Sequence, residues 1–398
     1  MSLIRDLTDE EARAALVLKW GETEPGVLPA WVAEMDYAIA EPITSALRDA
    51  VDRGEVGYPA FVRSGGKLGE AYAGFALRHF EADVPPDRVL PTADVTVGVR
   101  IALEVLSERA PMVLPLPAYD PQHGLGRITG REQWDLPVEP DADRYVVDLD
   151  ELDRLFARGA RTLLLTQPHN PAGHVHTREE LEGIRDVVVR HGARVVSDEI
   201  HAPLVLPGAE FVSYLSLEGT ADHAVAVVAA SKAFNIPGLK CAQIVTGDDA
   251  TRDRLVEIPM AQNDSWGSLG VVAAVAAYTE GDPWLAALVE RLDQQRMLLG
   301  RLLTENLPQA RMRPLEATYM AWLDLRAYGH DDPAEVLLRG GVRVSPGQAY
   351  WPGLGGHVRL NIATSPERLT EIVRRMAAAL TGGRGGGDDG GASGAPPA

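Results

Sequence analysis

Apolar and polar positions follow two alternating patterns along this chain. Short apolar runs bounded by turn residues read as buried strands, and stretches whose apolar residues recur every three or four positions read as helices. Residues 161-RTLLLTQPHNPAG-173 predict a strand that stops at a Pro/Asn/Gly loop, and 193-ARVVSDEIH-201 and 223-HAVAVVAAS-231 predict two more. Between them, 177-TREELEGIRDVV-188 predicts a helix, with Thr177 and Glu180 at the spacing of a capping box. Another helix is expected over 41-EPITSALRDAVDRG-54, which opens at Pro42, ends at Gly54 and places Ile43, Leu47 and Val51 on one face. A third covers 99-VRIALEVLSER-109, and 270-GVVAAVAAY-278 has the composition of a core helix. Alternating elements of this kind predict an α/β fold with a largely parallel sheet. No internal repeat is visible.

Composition narrows the class. At 398 residues and 45% hydrophobic content the chain is long enough for a large core and more than one domain. A formal net charge of -19, with no basic cluster to offset it, argues against nucleic acid and anionic membranes as partners. One cysteine, Cys241, cannot form an intrachain disulfide. The start, MSLIRDLTDEEARAALVLKW, carries charges throughout instead of a basic patch followed by an apolar run, and the expected location is the cytoplasm. The end, 382-GGRGGGDDGGASGAPPA-398, has nothing large and apolar to pack and is expected to be disordered.

The candidate chemistry gathers just after the apolar runs, where open α/β sheets place their ligands. Lys232 sits in 228-VAASKAFNIPGLKCAQIV-245 between apolar flanks. A lysine in such a place either snorkels to solvent or is an amine kept neutral for nucleophilic use. Asn170 in HNPAG, Asp198 in SDEIH and Tyr119 in PLPAYDP occupy comparable positions. Taken singly, Asn170 also reads as a turn residue, Asp198 as a helix cap and Tyr119 as a core aromatic.

In this order the four residues resemble the fold type I pyridoxal-phosphate enzymes, the class I/II aminotransferase superfamily, over almost the whole chain before the tail. The resemblance implies a PLP-dependent transferase fold. In it, a large domain with a mostly parallel seven-stranded sheet between helices is joined by a smaller α/β domain from N- and C-terminal segments. The corresponding division is 1–45, 46–280 and 281–381, followed by the tail 382–398. It also implies that Lys232 carries the cofactor and then moves the α-proton of the substrate. Asp198 would pair with the pyridinium nitrogen, Asn170 would bond the phenolic oxygen, and Tyr119 would stack on the ring. Arg359, in 357-HVRLNIAT-364, stands where the superfamily places the arginine that forks onto a substrate carboxylate.

The stretches 28-LPAWVAEMDYAIAEPI-43 and 56-VGYPA-60 resemble the C-S β-lyase branch, which includes bacterial cystathionine β-lyases; Trp31, Asp36 and Tyr58 fall on its motif. Glu34 departs from it, since an aspartate is more usual there. The tyrosine matching Tyr58 reaches the phosphate of the other subunit, which implies a homodimer with shared sites. For the phosphate, the candidates are the amides of Asp94 and Val95 in 92-TADVTVG-98, with Ser231, His201 and Lys240 adding polar groups. Trp31 and Tyr350 are expected on the substrate side. The function implied is α,β-elimination on cystathionine or another S-substituted cysteine, with aminotransfer as the alternative within the superfamily. A different class, a metal-dependent enzyme, would draw on His169, His174, His176 and His201 with Asp198 or Glu199.

Overall fold

The structure, a computed structural model, describes residues 3–59, 65–138 and 144–382. Apart from Gly382, the tail expected to be disordered lies outside the described residues, as does Ala60 at the end of VGYPA.

A mixed, mostly parallel seven-stranded sheet organises the centre of the chain. Its strands run in the spatial order 89–92, 242–246, 224–228, 194–198, 162–166, 112–116 and 133–137. The strand Ala242–Thr246 runs antiparallel to both of its neighbours, and the other paired strands of the sheet are parallel. The strands Met112–Leu116, Thr162–Thr166 and Ala224–Val228 are buried throughout, which is why their sequences are continuous apolar runs. Register aligns Thr166 with Asp198 and Asp198 with Val227, so the parallel strands finish together along one edge.

A second sheet, antiparallel and four-stranded, is built from Ser345–Pro346, His357–Asn361, Met320–Asp324 and Arg311–Met312. The helices Pro333–Arg339 and Pro366–Thr381 accompany it, and Leu28–Pro29 pairs in parallel with Val342–Arg343. Between the two sheets in sequence runs the 25-residue helix Asp282–Asn306.

Local rules account for several element boundaries. The helix Arg178–Arg190 starts on the Thr177/Glu180 capping box, and the core helix forms as Ser268–Glu280. The helix Glu41–Asp52 buries Ile43 but exposes Val51. At 3.6 residues per turn, a position eight residues on lies roughly 80° around the cylinder, so Val51 has drifted off the packed stripe. The helix expected over 99–109 instead spans Val95–Leu106. Its start moves forward because the Asp94 side chain accepts from the Val97 amide, and it ends where Arg131 donates to the carbonyls of Leu103, Ser107 and Glu108. A Cβ at Gly98 would lie 2.7 Å from a Val227 methyl, so glycine lets this helix settle close to the sheet.

The N-terminal segment is tied down by a buried ion network. Lys19 Nζ lies 2.8 Å from Asp36 Oδ1, with both side chains essentially inaccessible. Trp20 Nε1 donates to the same Asp36 oxygen at 2.8 Å, and Arg368 reaches Asp36 Oδ2 at 3.3 Å. Burial pulls the Lys19 amine below its ordinary value, opposed by Asp36. Removing one partner of such a pair leaves an uncompensated buried charge. Asp36→Ala is therefore expected to lower stability by roughly 3–5 kcal/mol, read as a shift in urea midpoint at unchanged m value.

Candidate active site

The ends of the parallel strands open into a cavity of about 200 Å³ lined by residues from distant parts of the chain. Ala33, Asp94, Val95, Thr96, Tyr119, Thr166, Asn170, Asp198, His201, Ser231, Lys232 and Lys240 all contribute to its wall, so nine of the residues singled out from sequence meet the same space. This is the place where an α/β sheet offers loop residues around a rigid edge.

Lys232 follows the strand Ala224–Val228 by four residues and is half-buried. The lysine removed entirely from solvent is Lys19, which is ion-paired, whereas Lys232 Nζ donates to the Ala33 carbonyl at 3.1 Å. Burial, reinforced by the nearby Arg359 cation, brings its pKa down to about 8. A sizeable share of this amine is thus neutral near physiological pH. The Ala33 carbonyl is fixed from several sides. It also accepts from Tyr319 Oη at 3.1 Å, and Asn235, three residues after Lys232, clamps Met35 through its amide and carbonyl at 2.9 and 2.8 Å. Asn361 Nδ2 holds the carbonyls of Val32 and Glu34, both at 2.7 Å.

Asp198 ends its strand with its carboxylate at the cavity, and burial raises its pKa to about 6. Two donors restrain the rise: the Ile200 amide at 3.3 Å from Oδ1, and Gln122 Nε2 at 3.1 Å from Oδ2. Gln122 is a residue that sequence reasoning missed. It is buried, it also donates to Thr166 Oγ1 at 3.1 Å, and its backbone amide returns to the Tyr119 carbonyl at 2.8 Å. The signal available was its position three residues after Tyr119 in a turn containing Pro121. Tyr119 itself is displaced toward a higher pKa by burial, so it enters the site as a neutral phenol.

On another wall, Asp94 divides its two oxygens. Oδ1 caps the helix through the Val97 amide at 2.8 Å and Oδ2 pairs with Lys240 Nζ at 2.8 Å. Burial works against ionisation here, but the Lys240 and Val97 bonds outweigh it and hold the carboxyl below its ordinary value. The helix N-terminus at Val95 thus presents first-turn amides beside one cation and the Ser231 side chain.

Arg359 is buried in the strand His357–Asn361 of the smaller sheet. Nη1 donates to Asn170 Oδ1 at 3.0 Å and Nη2 to the Trp31 carbonyl at 2.8 Å, while Nε has no partner among the described residues. The guanidinium lies over the Tyr350 ring, 5.0 Å from its centroid. Trp31 therefore contributes a carbonyl to this arrangement; its indole donates to the Lys19 carbonyl at 3.2 Å and lies under Arg343.

The four histidines considered for a metal enzyme do not form one site. His201 lines the cavity, deeply buried, with its pKa lowered to about 3 by burial and by the Lys232 and Arg359 cations. His169 stacks on Tyr145 at 3.7 Å and accepts the Ala172 amide. His174 and His176 turn instead toward Glu180. Glu199 is bonded by Ser197, Ser213 and the Tyr214 amide. Tyr58 stands apart from the cavity, 94% exposed.

A family model for the aminotransferase class I and II group matches residues 56–376. The chain belongs to this family. It is 38% identical to a candidate cystathionine beta-lyase of Mycobacterium tuberculosis, covering 95% of this chain and 98% of that protein. With the cystathionine beta-lyase of Corynebacterium glutamicum it shares 34% identity, over 93% of this chain and 98% of that one. Among solved structures it resembles a candidate PLP-dependent beta-cystathionase from Corynebacterium diphtheriae. There the TM-score is 0.90 and the identity 33%, over 95% of this chain and 99% of that one.

The cavity of this family member suits the cofactor those relatives imply. It combines a lysine of lowered pKa, a buried carboxylate, an aromatic ring, and a helix N-terminus flanked by a serine and a lysine. Two buried nitrogens facing this region, His201 Nδ1 and Arg359 Nε, have no partner among the described residues, as expected of groups kept for a bound molecule.

Proposed function

We propose that this protein is a pyridoxal-phosphate-dependent carbon-sulfur lyase that acts on cystathionine or a related S-substituted cysteine, releasing a thiol, pyruvate and ammonia. The observation that carries this reading is the convergence of Lys232, Asp198 and Asn170 on one cavity, with Arg359 bonded to Asn170 from the smaller sheet. The kinship with cystathionine beta-lyases supplies the substrate class.

When bound, pyridoxal phosphate supplies an electron sink for the carbanion that forms at the substrate α-carbon. Lys232 would hold the cofactor and, once released, its Nζ would take the α-proton; a pKa near 8 suits a base at neutral pH. Asp198 would keep a proton on the pyridine nitrogen, with Gln122 and the Ile200 amide orienting the carboxylate. Tyr119 would cover the ring, and Asn170 would bond its phenolic oxygen. The Asp94 and Val95 segment, Ser231 and Lys240 would receive the phosphate, and His201 would add a neutral imidazole to the wall. Arg359 would fork onto the substrate carboxylate above Tyr350, with Trp31 and Asn170 fixing the guanidinium plane.

The reaction is decided by products. With cystathionine alone, pyruvate, ammonia and homocysteine in equal amounts are the expected outcome. A keto acid formed only when an amino acceptor is added would assign the protein to aminotransfer instead.

Arg359→Lys keeps the charge and loses the planar fork, so kcat/KM is expected to fall at least about tenfold, or ~1.4 kcal/mol, with cofactor absorbance unchanged. Loss of the cofactor in this variant would show that Arg359 is not the carboxylate anchor.

The assembly we propose is a homodimer in which Tyr58 reaches the partner's phosphate. Its near-complete exposure in a single chain supports this, since a tyrosine so placed has no packing role of its own. Mixing inactive Tyr58→Phe and Lys232→Ala subunits is then expected to restore activity through one undamaged site per heterodimer. Full activity in a sedimenting monomer would contradict it. The -19 charge and the single buried cysteine support a cytoplasmic setting; among the described residues no helix is long and apolar enough to cross a membrane.

A further inference from the structure

The loop that follows the strand Thr162–Thr166 carries a second group of chemistry-bearing side chains, outside the cavity. His174 and His176 are both buried, with ring centroids 4.9 Å apart and perpendicular planes. His174 Nε2 lies 3.1 Å from Glu180 Oε2, and its Nδ1 lies 2.9 Å from Glu316 Oε2. His176 Nδ1 is 3.7 Å from the same Glu180 oxygen, within ion-pair range but too far for a hydrogen bond, and neither of its ring nitrogens makes a hydrogen bond among the described residues. A buried imidazole with no hydrogen bond at either nitrogen is unfavourable in a folded protein and asks what it is aimed at.

We propose that His174, His176 and Glu180 form a binding site for a divalent transition cation of the zinc class, separate from the reaction. Two imidazoles and a carboxylate are a ligand set such a cation favours, and one ligand atom from each lies within 4.8 Å of the others. Tetrahedral coordination at about 2.0–2.1 Å places ligand atoms roughly 3.4 Å apart. The His174–Glu180 edge of 3.1 Å and the His176–Glu180 edge of 3.7 Å already approach this, and no hydrogen bond of the His176 ring opposes its moving inward.

The surroundings are those of a ligand set held in place. Glu316 on His174 Nδ1 supplies the outer carboxylate that fixes the tautomer of a metal-bound histidine and leaves Nε2 to face the cation. The capping box fixes Glu180, whose Oε2 accepts the Thr177 amide at 2.8 Å. Arg144 sits 3.5 Å from Oε1 of Glu180 and Oε1 of Glu316, so it pairs with the carboxylate oxygens that His174 does not contact. A proton on His174 alone would satisfy the two glutamates and leave His176 unexplained, whereas a cation uses both rings.

The location suggests what the cation does. The Val175 amide donates to Glu316 Oε2 at 2.8 Å, and the amides of Glu316 and Ala317 donate to the Gly173 carbonyl at 2.9 and 3.0 Å. The cluster thus joins the loop that bears Asn170 to the segment leading into Met320–Asp324 of the smaller sheet. A cation there clamps the two sheets together beside the cavity.

The test is to strip the holoenzyme with a chelator and titrate it with CoCl2 and then ZnCl2. The expected result is one Co2+ per chain with tetrahedral d–d absorption at wavelengths beyond the cofactor band, displaced by Zn2+ with a rise in Tm. His176→Phe keeps the aromatic volume and is expected to lose Co2+ affinity at least tenfold, and Glu316→Gln about 10–100-fold. If His176→Phe fails to fold, Glu180→Gln together with the wild-type cobalt spectrum decides. No tetrahedral spectrum in the wild-type protein, or unchanged Co2+ affinity in these variants, overturns the proposal and leaves a proton-bridged ion network.

Discussion

Lys232→Ala is expected to lower pyruvate formation from cystathionine by roughly a thousandfold, the range associated with losing a positioned proton-transfer group. Lys232 is the amine of lowered pKa at the cavity, bonded among the described residues to the Ala33 carbonyl, whereas Lys240 is paired with Asp94. The variant should also lose the visible band of covalently held cofactor while retaining its fold, because among the described residues Lys232 bridges no buried ion pair. Borohydride reduction of the wild-type holoenzyme followed by peptide mapping is expected to mark Lys232. A label on Lys240 or Lys67 would assign the chemistry to a different amine.

Asp198→Asn is expected to reduce kcat by roughly a hundredfold or more, since a neutral amide cannot hold a proton on a ring nitrogen as a carboxylate does, and charge placed in a water-poor site is worth most there. Single-turnover measurement of α-proton loss would show the defect in that step. Gln122→Leu tests the same carboxylate more gently. Burial already raises Asp198 to about 6, and the Gln122 N–H favours its ionised form. Removing that donor raises the pKa further, so the acid limb of the kcat/KM profile should move to higher pH. An unshifted limb would mean that Asp198 does not govern it.

Much of this site was legible from residue order. Asp198 ends a strand and Lys232, Asn170 and Tyr119 each follow one, and the cavity brings all four together. The phosphate side was less so, because a helix start depends on its cap. An aspartate side chain beside an anion is unfavourable by itself, and only the fold shows the Asp94 oxygens taken by the Val97 amide and Lys240. Trp31 shows the converse difficulty. Its motif position put it on the substrate side, yet what reaches Arg359 is its carbonyl, a group every residue carries and no side-chain pattern reveals.

The sequence by itself determined the alternation of strands and helices, the apolar character of the central strands and the order of the polar residues at their ends. Each of these depends on neighbours within a few positions, through hydrophobic period, turn chemistry and capping. Only the tertiary structure decided which lysine is sealed in an ion pair and which one opens onto the cavity. The same holds for Gln122 turning toward Asp198, and for His174 and His176 facing Glu180 and not His201. Desolvation and hydrogen bonding act between groups close in space, and the partners here, such as Ala33 with Lys232 or Asn170 with Arg359, come from segments nearly two hundred residues apart.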